Sequence, residues 1–145
     1  MLRPMAQRDA YLEHLSSVPL FSACSRRELQ KIAKASEEMH FEEGKELVQQ
    51  GATGREAFII LNGTAGVKRS NRKIATLGPG ECFGELSLLD HGPRTATVVA
   101  ESPMDVLVLE SRKFAGVLDE IPTMARKLMG ALATRVRDLD SKAFG

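Results

Sequence analysis

Two short stretches hold the residues best able to do chemistry: Phe83-Gly84-Glu85-Leu86 and, after six intervening residues, Pro93-Arg94-Thr95-Ala96. Gly84 has no Cβ, so a ligand can approach the main chain closely there. Residues 85–89 suit a single helical turn, whose first amides point outward with partial positive charge and favour an anion. Arg94 adds a formal charge on a planar fork that can hold two phosphate oxygens, each bond worth roughly 1.5–3 kcal/mol. Pro93 fixes φ and ends the turn, and Thr95 offers a hydroxyl hydrogen. Glu85 would repel an anion bound directly beside it. Its presence makes sense if it accepts a hydrogen from a sugar hydroxyl while the phosphate lies by Arg94. The acid and the arginine would then read the two ends of a ribose phosphate. Taken singly, Glu85 is a solvated charge, Arg94 a surface residue and Pro-Arg-Thr a turn. The combination, at this spacing and between strands, is what points to a site.

The rest of the chain must position these groups. Residues 6–15 suit a short helix, broken by Val18-Pro19-Leu20-Phe21, which supplies an apolar anchor. Ser25 with Glu28 three residues on is a capping box, opening a helix with Leu29, Ile32 and Ala33 on one face. From about residue 37 to 110 the texture changes to short strands with glycine punctuation. Strands are predicted at 38–41, 46–49, 57–61, 64–69, 73–77, 81–83, 95–101 and 105–110. Turns fall at Gly51–Gly54, at Asn71-Arg72 and at Ser102-Pro103, and Asn62-Gly63 is a hairpin signal. Many short strands at this spacing suggest a sandwich or barrel. Ser111 suits the cap of a helix over 112–118, and Pro122 the first turn of a longer helix to about 141. Leu128, Leu132, Val136 and Leu139 form an apolar stripe on it. The stripe is short for a coiled coil, so packing on the strands and pairing with a second copy both stay open.

The two-part motif Phe83-Gly84-Glu85-Leu86 and Pro93-Arg94-Thr95-Ala96 resembles the phosphate-binding cassette of the cyclic-nucleotide-binding domains, and the similarity runs over about residues 18–140. The resemblance implies an α+β fold: an antiparallel, jelly-roll-like β-roll flanked by N-terminal helices and a C-terminal helical hinge, one domain over 1–145. It implies cAMP as ligand, preferred on family frequency, with cGMP as the other candidate. Gly84 and Leu86 would make main-chain contacts, Glu85 would take the ribose 2′-hydroxyl, and Arg94 would pair with the cyclic phosphate, with Thr95 beside it. Strand alignment with the family makes Val67, Ile74 and Ala96 the wall for the purine. Arg135 would stack its guanidinium on the base. Gly51, Gly54 and residues 58–63 also resemble the family, although many members carry an acid where this chain has Ala52. Some catabolite activators place Thr-Ser late in the last helix to bind adenine, where this chain has Leu139-Asp140.

Composition narrows the alternatives. The chain has 145 residues, 20 Lys and Arg against 19 Asp and Glu, and a net charge of +1, which argues against binding nucleic acid through a broad basic surface. Two cysteines, Cys24 and Cys82, are too few for a disulfide framework and suggest reduced thiols in a cytoplasmic protein. No apolar run is long enough to span a bilayer, and residues 1–9 lack the apolar core of a signal peptide. His14, His40 and His91 lack metal-ligand spacing, and no Ser-His-Asp or Cys-His arrangement is evident, so neither a metal site nor an enzyme is expected. The reading is a cyclic-nucleotide sensor that signals through its C-terminal helix to an effector the sequence does not name. No effector sequence follows within these residues. The alternative is a β-roll that has lost its ligand and serves as a protein–protein scaffold.

Overall fold

A computed structural model describes residues 5–144; residues 1–4 of the N-terminal stretch considered above lie outside the described residues. Helix α1 (Met5–Ser16) is followed by a single 3-10 turn, Pro19–Phe21, and by α2 (Arg26–Ala35). Eight strands follow: β1 (Glu37–Phe41), β2 (Glu46–Val48), β3 (Glu56–Asn62), β4 (Ala65–Arg69), β5 (Arg72–Leu77), β6 (Cys82–Phe83), β7 (Thr97–Ala100) and β8 (Met104–Glu110). The short helix α3 (Ser87–Asp90) lies between β6 and β7, and α4 (Ser111–Glu120) and α5 (Thr123–Phe144) complete the order. The strands form two antiparallel four-stranded sheets, β1-β8-β3-β6 and β2-β7-β4-β5.

Strand periodicity explains the layering. In β3 the run Ala57-Phe58-Ile59-Ile60-Leu61 is buried throughout because both faces are covered. Ala57, Ile59 and Leu61 join Leu107 and Leu109 of β8 in a core with the helices. Phe58 and Ile60 point the other way and meet Val106, Val108, Val98 and Ala100 inside the roll. The helices add Leu15, Leu20, Phe21, Ile32, Phe114, Met124 and Leu128 to the first core. Leu88 of α3 belongs to the same core, which ties the short helix between β6 and β7 to the helical layer. β5 touches the core inside the roll only through Leu77 at its end and is exposed along the rest of its length.

The capping box forms as expected: the Ser25 side chain accepts from the Glu28 amide and the Glu28 carboxylate accepts from the Ser25 amide. That carboxylate also accepts from Lys127 Nζ of α5. The hydrogen bond from Lys127, with the one from Ser25, holds the Glu28 carboxyl below its ordinary range. One side chain therefore both starts α2 and pins the base of α5.

Four local expectations are corrected. Asn62-Gly63 does not make a hairpin, because β3 and β4 lie in different sheets. Gly63 adopts φ +89, and a Cβ there would sit 2.3 Å from the Pro103 carbonyl oxygen. Thr64 is bound on both sides to the β7–β8 connection, through Ser102 Oγ and the Glu101 amide, so the chain changes sheet at this corner. The true hairpin turn is Ser70-Asn71, both with positive φ, one residue earlier than expected. Ser111 does not cap α4; Glu110 precedes the helix without a side-chain cap bond, and Ser111 is buried with its amide donated to the Arg55 carbonyl. The turn after Gly84 is hydrogen-bonded from its first residues, Ser87 to the Gly84 carbonyl and Leu88 to the Glu85 carbonyl, but Pro93 is not what ends it. It ends at His91, which is left-handed at φ 53, before Pro93 is reached.

Candidate functional site

A cavity of about 540 Å³ opens between β4, α3 and the start of β7, with α5 at its mouth. Of the residues singled out from sequence, Phe83, Gly84, Glu85, Leu86, Arg94, Thr95, Ala96, Val67 and Arg135 all line it. Ile74 does not. It is 51% exposed on β5, and the register irregularity opposite Val67 and Lys68 leaves it without a direct partner on β4. A strand alignment that counts residues through this bulge misplaces it.

The geometry is built around Arg94. Its Nη1 donates to Ser87 Oγ at 3.0 Å, and its Cζ lies 5.8 Å from the Phe58 ring centroid, within cation–π range. Phe58 in turn stacks on Phe83, with centroids 4.8 Å apart and planes at 11°. The guanidinium passes between two glycines. A Cβ on Gly84 would lie 2.4 Å from Arg94 Nη1, and one on Gly54 would lie 2.8 Å from Arg94 Nε. Among the described residues no carboxylate pairs with Arg94. Burial lowers its pKa, with the nearby Glu56 partly opposing the shift. A half-buried cation without a counter-ion is a receptor for an anion.

The main chain adds donors. The amides of Ser87, Leu88 and Leu89 are taken by the carbonyls of Gly84, Glu85 and Leu86. The amides of Glu85 and Leu86 have no acceptor among the described residues. Gly84 itself has φ +76, which turns this segment toward Arg94.

Glu85 is engaged by Arg135, whose Nη1 lies 3.2 Å from Glu85 Oε1. Arg135 thus reaches the cavity mouth from α5 as an ion-pair partner of the acid. Cys82 Sγ lies 3.9 Å from the other carboxylate oxygen. Burial, reinforced by Glu85, pushes the Cys82 thiol up to about 12, so it is protonated at neutral pH. Thr95 is exposed, and its carbonyl accepts from Arg69 Nε at 3.1 Å. Among the described residues no cluster of His, Cys, Asp and Glu is fit to hold a metal ion, and no helix is long and apolar enough to cross a membrane.

Sequence reasoning did not assign roles to Ser87, Gly54, Phe58 and Arg69, all of which face this region. Ser87 stood between the two parts of the motif, only two residues past Glu85, and its hydroxyl was the available signal. Gly54 and Phe58 come from β3 and the loop before it, and only the fold brings them to Arg94.

Comparison with known proteins gives a consistent picture. The family model described as the cyclic nucleotide-binding domain matches residues 38–120. Among solved structures, the N-terminal domain of a transcriptional regulator from Streptomyces coelicolor A3(2) is 29% identical with a TM-score of 0.83, over 88% of this chain and 95% of that one. The catabolite activator protein of Thermus thermophilus is 31% identical with a TM-score of 0.71, over 86% of this chain and 61% of its own. The regulatory domain of Toxoplasma gondii PKA, solved with cAMP, is 25% identical with a TM-score of 0.73, over 92% of this chain and 51% of its own.

Proposed function

The chain belongs to the cyclic-nucleotide-binding domain family, and from that premise we propose that its cavity binds a cyclic purine nucleotide, cAMP first, and that binding is signalled through α5. The observation that carries the reading is Arg94, half-buried, unpaired with any carboxylate among the described residues, and aimed between Gly54 and Gly84 at a cavity of nucleotide size. Arg94 takes the phosphate together with the free amides of Glu85 and Leu86 and the Thr95 hydroxyl. Glu85 takes the ribose 2′-hydroxyl. Val67 and Ala96 wall the base. Phe83 acts from below, by holding Phe58 under the guanidinium. The cAMP in the Toxoplasma structure supports adenine as the first base to try.

The route to α5 has two parts. A ribose hydroxyl arriving at Glu85 competes with Arg135 for the same carboxylate oxygen. Contraction of the segment also shifts Leu88, which packs in one core with Phe114, Met124 and Leu128. A ligand moves this equilibrium only by its difference in affinity for the two positions of α5. Calorimetry with cAMP and cGMP tests the binding step. Micromolar affinity for one of them is expected, with Glu85→Gln weakening it less than Arg94→Ala does, because the phosphate stays paired. Heat from neither nucleotide at millimolar concentration would leave the scaffold reading instead. Hydrogen exchange over 132–142 is expected to change on binding, and an unchanged profile would remove α5 from the signal.

The apolar stripe on α5 divides. Leu128 is 2% exposed and packs in the core on the helical side, whereas Val136 and Leu139 are 63% and 66% exposed, as is Met129 at 63%. Met129, Leu132, Val136 and Leu139 are spaced three, four and three apart, the a/d seam of a two-stranded coil. A second copy of the chain is the proposed partner for this seam. Sedimentation is expected to show a dimer at micromolar concentration that Val136→Glu with Leu139→Glu reduces to monomer. A wild-type chain that stays monomeric near 100 µM, with and without nucleotide, would count against it.

A further inference from the structure

The β4–β5 hairpin sets like charges face to face. Lys68 lies directly opposite Lys73, and Arg69 directly opposite Arg72, on either side of the Ser70-Asn71 turn. Like charges so placed weaken a strand pair. All four side chains are exposed. Among the described residues only Lys73 has a carboxylate partner, Glu101 at 2.8 Å. Arg69 donates to the Thr95 carbonyl, which carries no charge. Glu46 shares a groove of about 500 Å³ with Lys68 but makes no ion pair with it, and Gln49, Gln50 and Thr97 add polar groups to its lining. The chain as a whole carries only +1, so this is a local concentration of charge rather than general basicity.

The same hairpin ends its sheet. β5 has β4 on one side and no strand on the other, so the main-chain groups along its outer edge are unpaired by any strand. Such edges are templates for another strand and are commonly covered or guarded by charge. Here Arg72–Thr76 are all exposed. Ile74, set off by the bulge, is 51% exposed. Arg72 and Lys73 guard the edge against a second basic strand, another copy of β5 included. They leave it open to an acidic one.

We propose that the β5 edge and its four cations form a docking site for an extended acidic peptide of a partner protein, added to the sheet as a fifth strand beside β5. Main-chain bonds along the edge would supply affinity. Carboxylates of the peptide would relieve the repulsion between the opposed cations, and an apolar side chain would cover Ile74. Charge complementarity and the open edge together select this partner. A nucleic-acid backbone would answer the cations, but it has no row of N–H donors for the β5 carbonyls. The site meets the nucleotide cavity only at Arg69, and the proposal stands whether or not a nucleotide binds there.

The probe is a fluorescein-labelled synthetic peptide of alternating glutamate and valine, titrated with the whole chain and read by anisotropy. Parallel titrations use the same peptide N-methylated along its main chain, and an oligothymidylate of equal charge. Micromolar binding of the plain peptide is expected, with the N-methylated form about tenfold weaker or worse, the scale of main-chain bonds lost. Lys68→Glu with Arg72→Glu is expected to weaken binding by about 10- to 100-fold, as two attractions become repulsions. That double variant turns both like-charge pairs into opposite-charge pairs, so its melting temperature is expected to hold or rise. The N-methyl comparison uses the wild type alone and does not depend on how the variant folds. No binding of the peptide at about 1 mM, or undiminished binding by the double variant, would overturn the proposal. Indifference to N-methylation, or tighter binding of the oligothymidylate, would make the hairpin a general polyanion site and overturn the peptide assignment. Self-association abolished by the double variant in sedimentation would give the edge to a second copy of the chain, and would overturn it too.

Discussion

Replacing Arg94 with alanine is expected to weaken cyclic-nucleotide binding by about 10²- to 10⁴-fold while leaving the ligand-free protein as stable as before. The first half follows from the number of bonds removed. A guanidinium holding a phosphate in two places contributes roughly 3–6 kcal/mol, and each 1.4 kcal/mol is tenfold in affinity. The site is partly closed, so salt screens this interaction less than it would a surface pair. The second half follows from what Arg94 lacks. Among the described residues it has a hydroxyl and an aromatic face for partners but no carboxylate, and burial works against its charge. Alanine gives up one hydrogen bond and a cation–π contact of about 0.5–1 kcal/mol, but it also removes a half-buried cation. These contributions offset, and the unfolding free energy is expected to stay within about 1 kcal/mol of wild type. Urea melts of the apo protein and calorimetry with cAMP test both halves. A melt shifted by several kcal/mol would make Arg94 a structural residue, and tight binding by the variant would move the phosphate elsewhere. Arg94→Lys is a poor substitute, because a point charge does not reproduce the planar fork that fits between Gly54 and Gly84.

That Arg94, Gly84 and Glu85 form one site was legible in the sequence because all three lie in one local stretch whose residue types have few other uses in combination. The strands were legible for a similar reason: strand periodicity and glycine punctuation are local signals, and eight strands were expected where eight occur, whereas their closure into a roll was implied only by the family resemblance. What failed to show was set by contacts between distant segments. Asn62-Gly63 has the local chemistry of a hairpin, but Gly63 is pressed against Pro103, forty residues away in sequence, and the chain is turned into the other sheet. Ile74 was displaced by a bulge that leaves no trace in its own composition. Arg135 was expected to stack on a base, whereas its partner at the cavity mouth is Glu85, and that pairing depends on where α5 lies. Gly54 looked like part of a turn, and its lack of a side chain matters only because Ser87 and Arg94 come to rest against it.

Gly84→Ala is expected to lose binding as completely as Arg94→Ala and, unlike it, to lose stability as well. Three effects act together. At φ +76 any L side chain strains the backbone, at about 1–2 kcal/mol. The new methyl would lie 2.4 Å from Arg94 Nη1, and it would lie 2.8 Å from the Glu56 carbonyl oxygen at the start of β3. The first collision is with the end of a flexible side chain, which can swing away at the expense of the phosphate site. The second is with main chain, which can yield only by spreading β6 from β3, where Phe83 pairs with Phe58. A total of about 2–4 kcal/mol is expected, lowering the melting temperature by roughly 5–15 °C for a chain of this length. The double variant Gly84→Ala/Arg94→Ala separates the two collisions. With the guanidinium gone, the methyl gains its space, so the double variant is expected to be more stable than Gly84→Ala alone by about 1 kcal/mol, but still less stable than Arg94→Ala. Neighbours that touch show this kind of non-additivity, and residues that do not touch add. If urea melts of the four proteins gave strictly additive free energies, the guanidinium would not rest against Gly84, and the slot that aims Arg94 at the cavity would have to be redrawn.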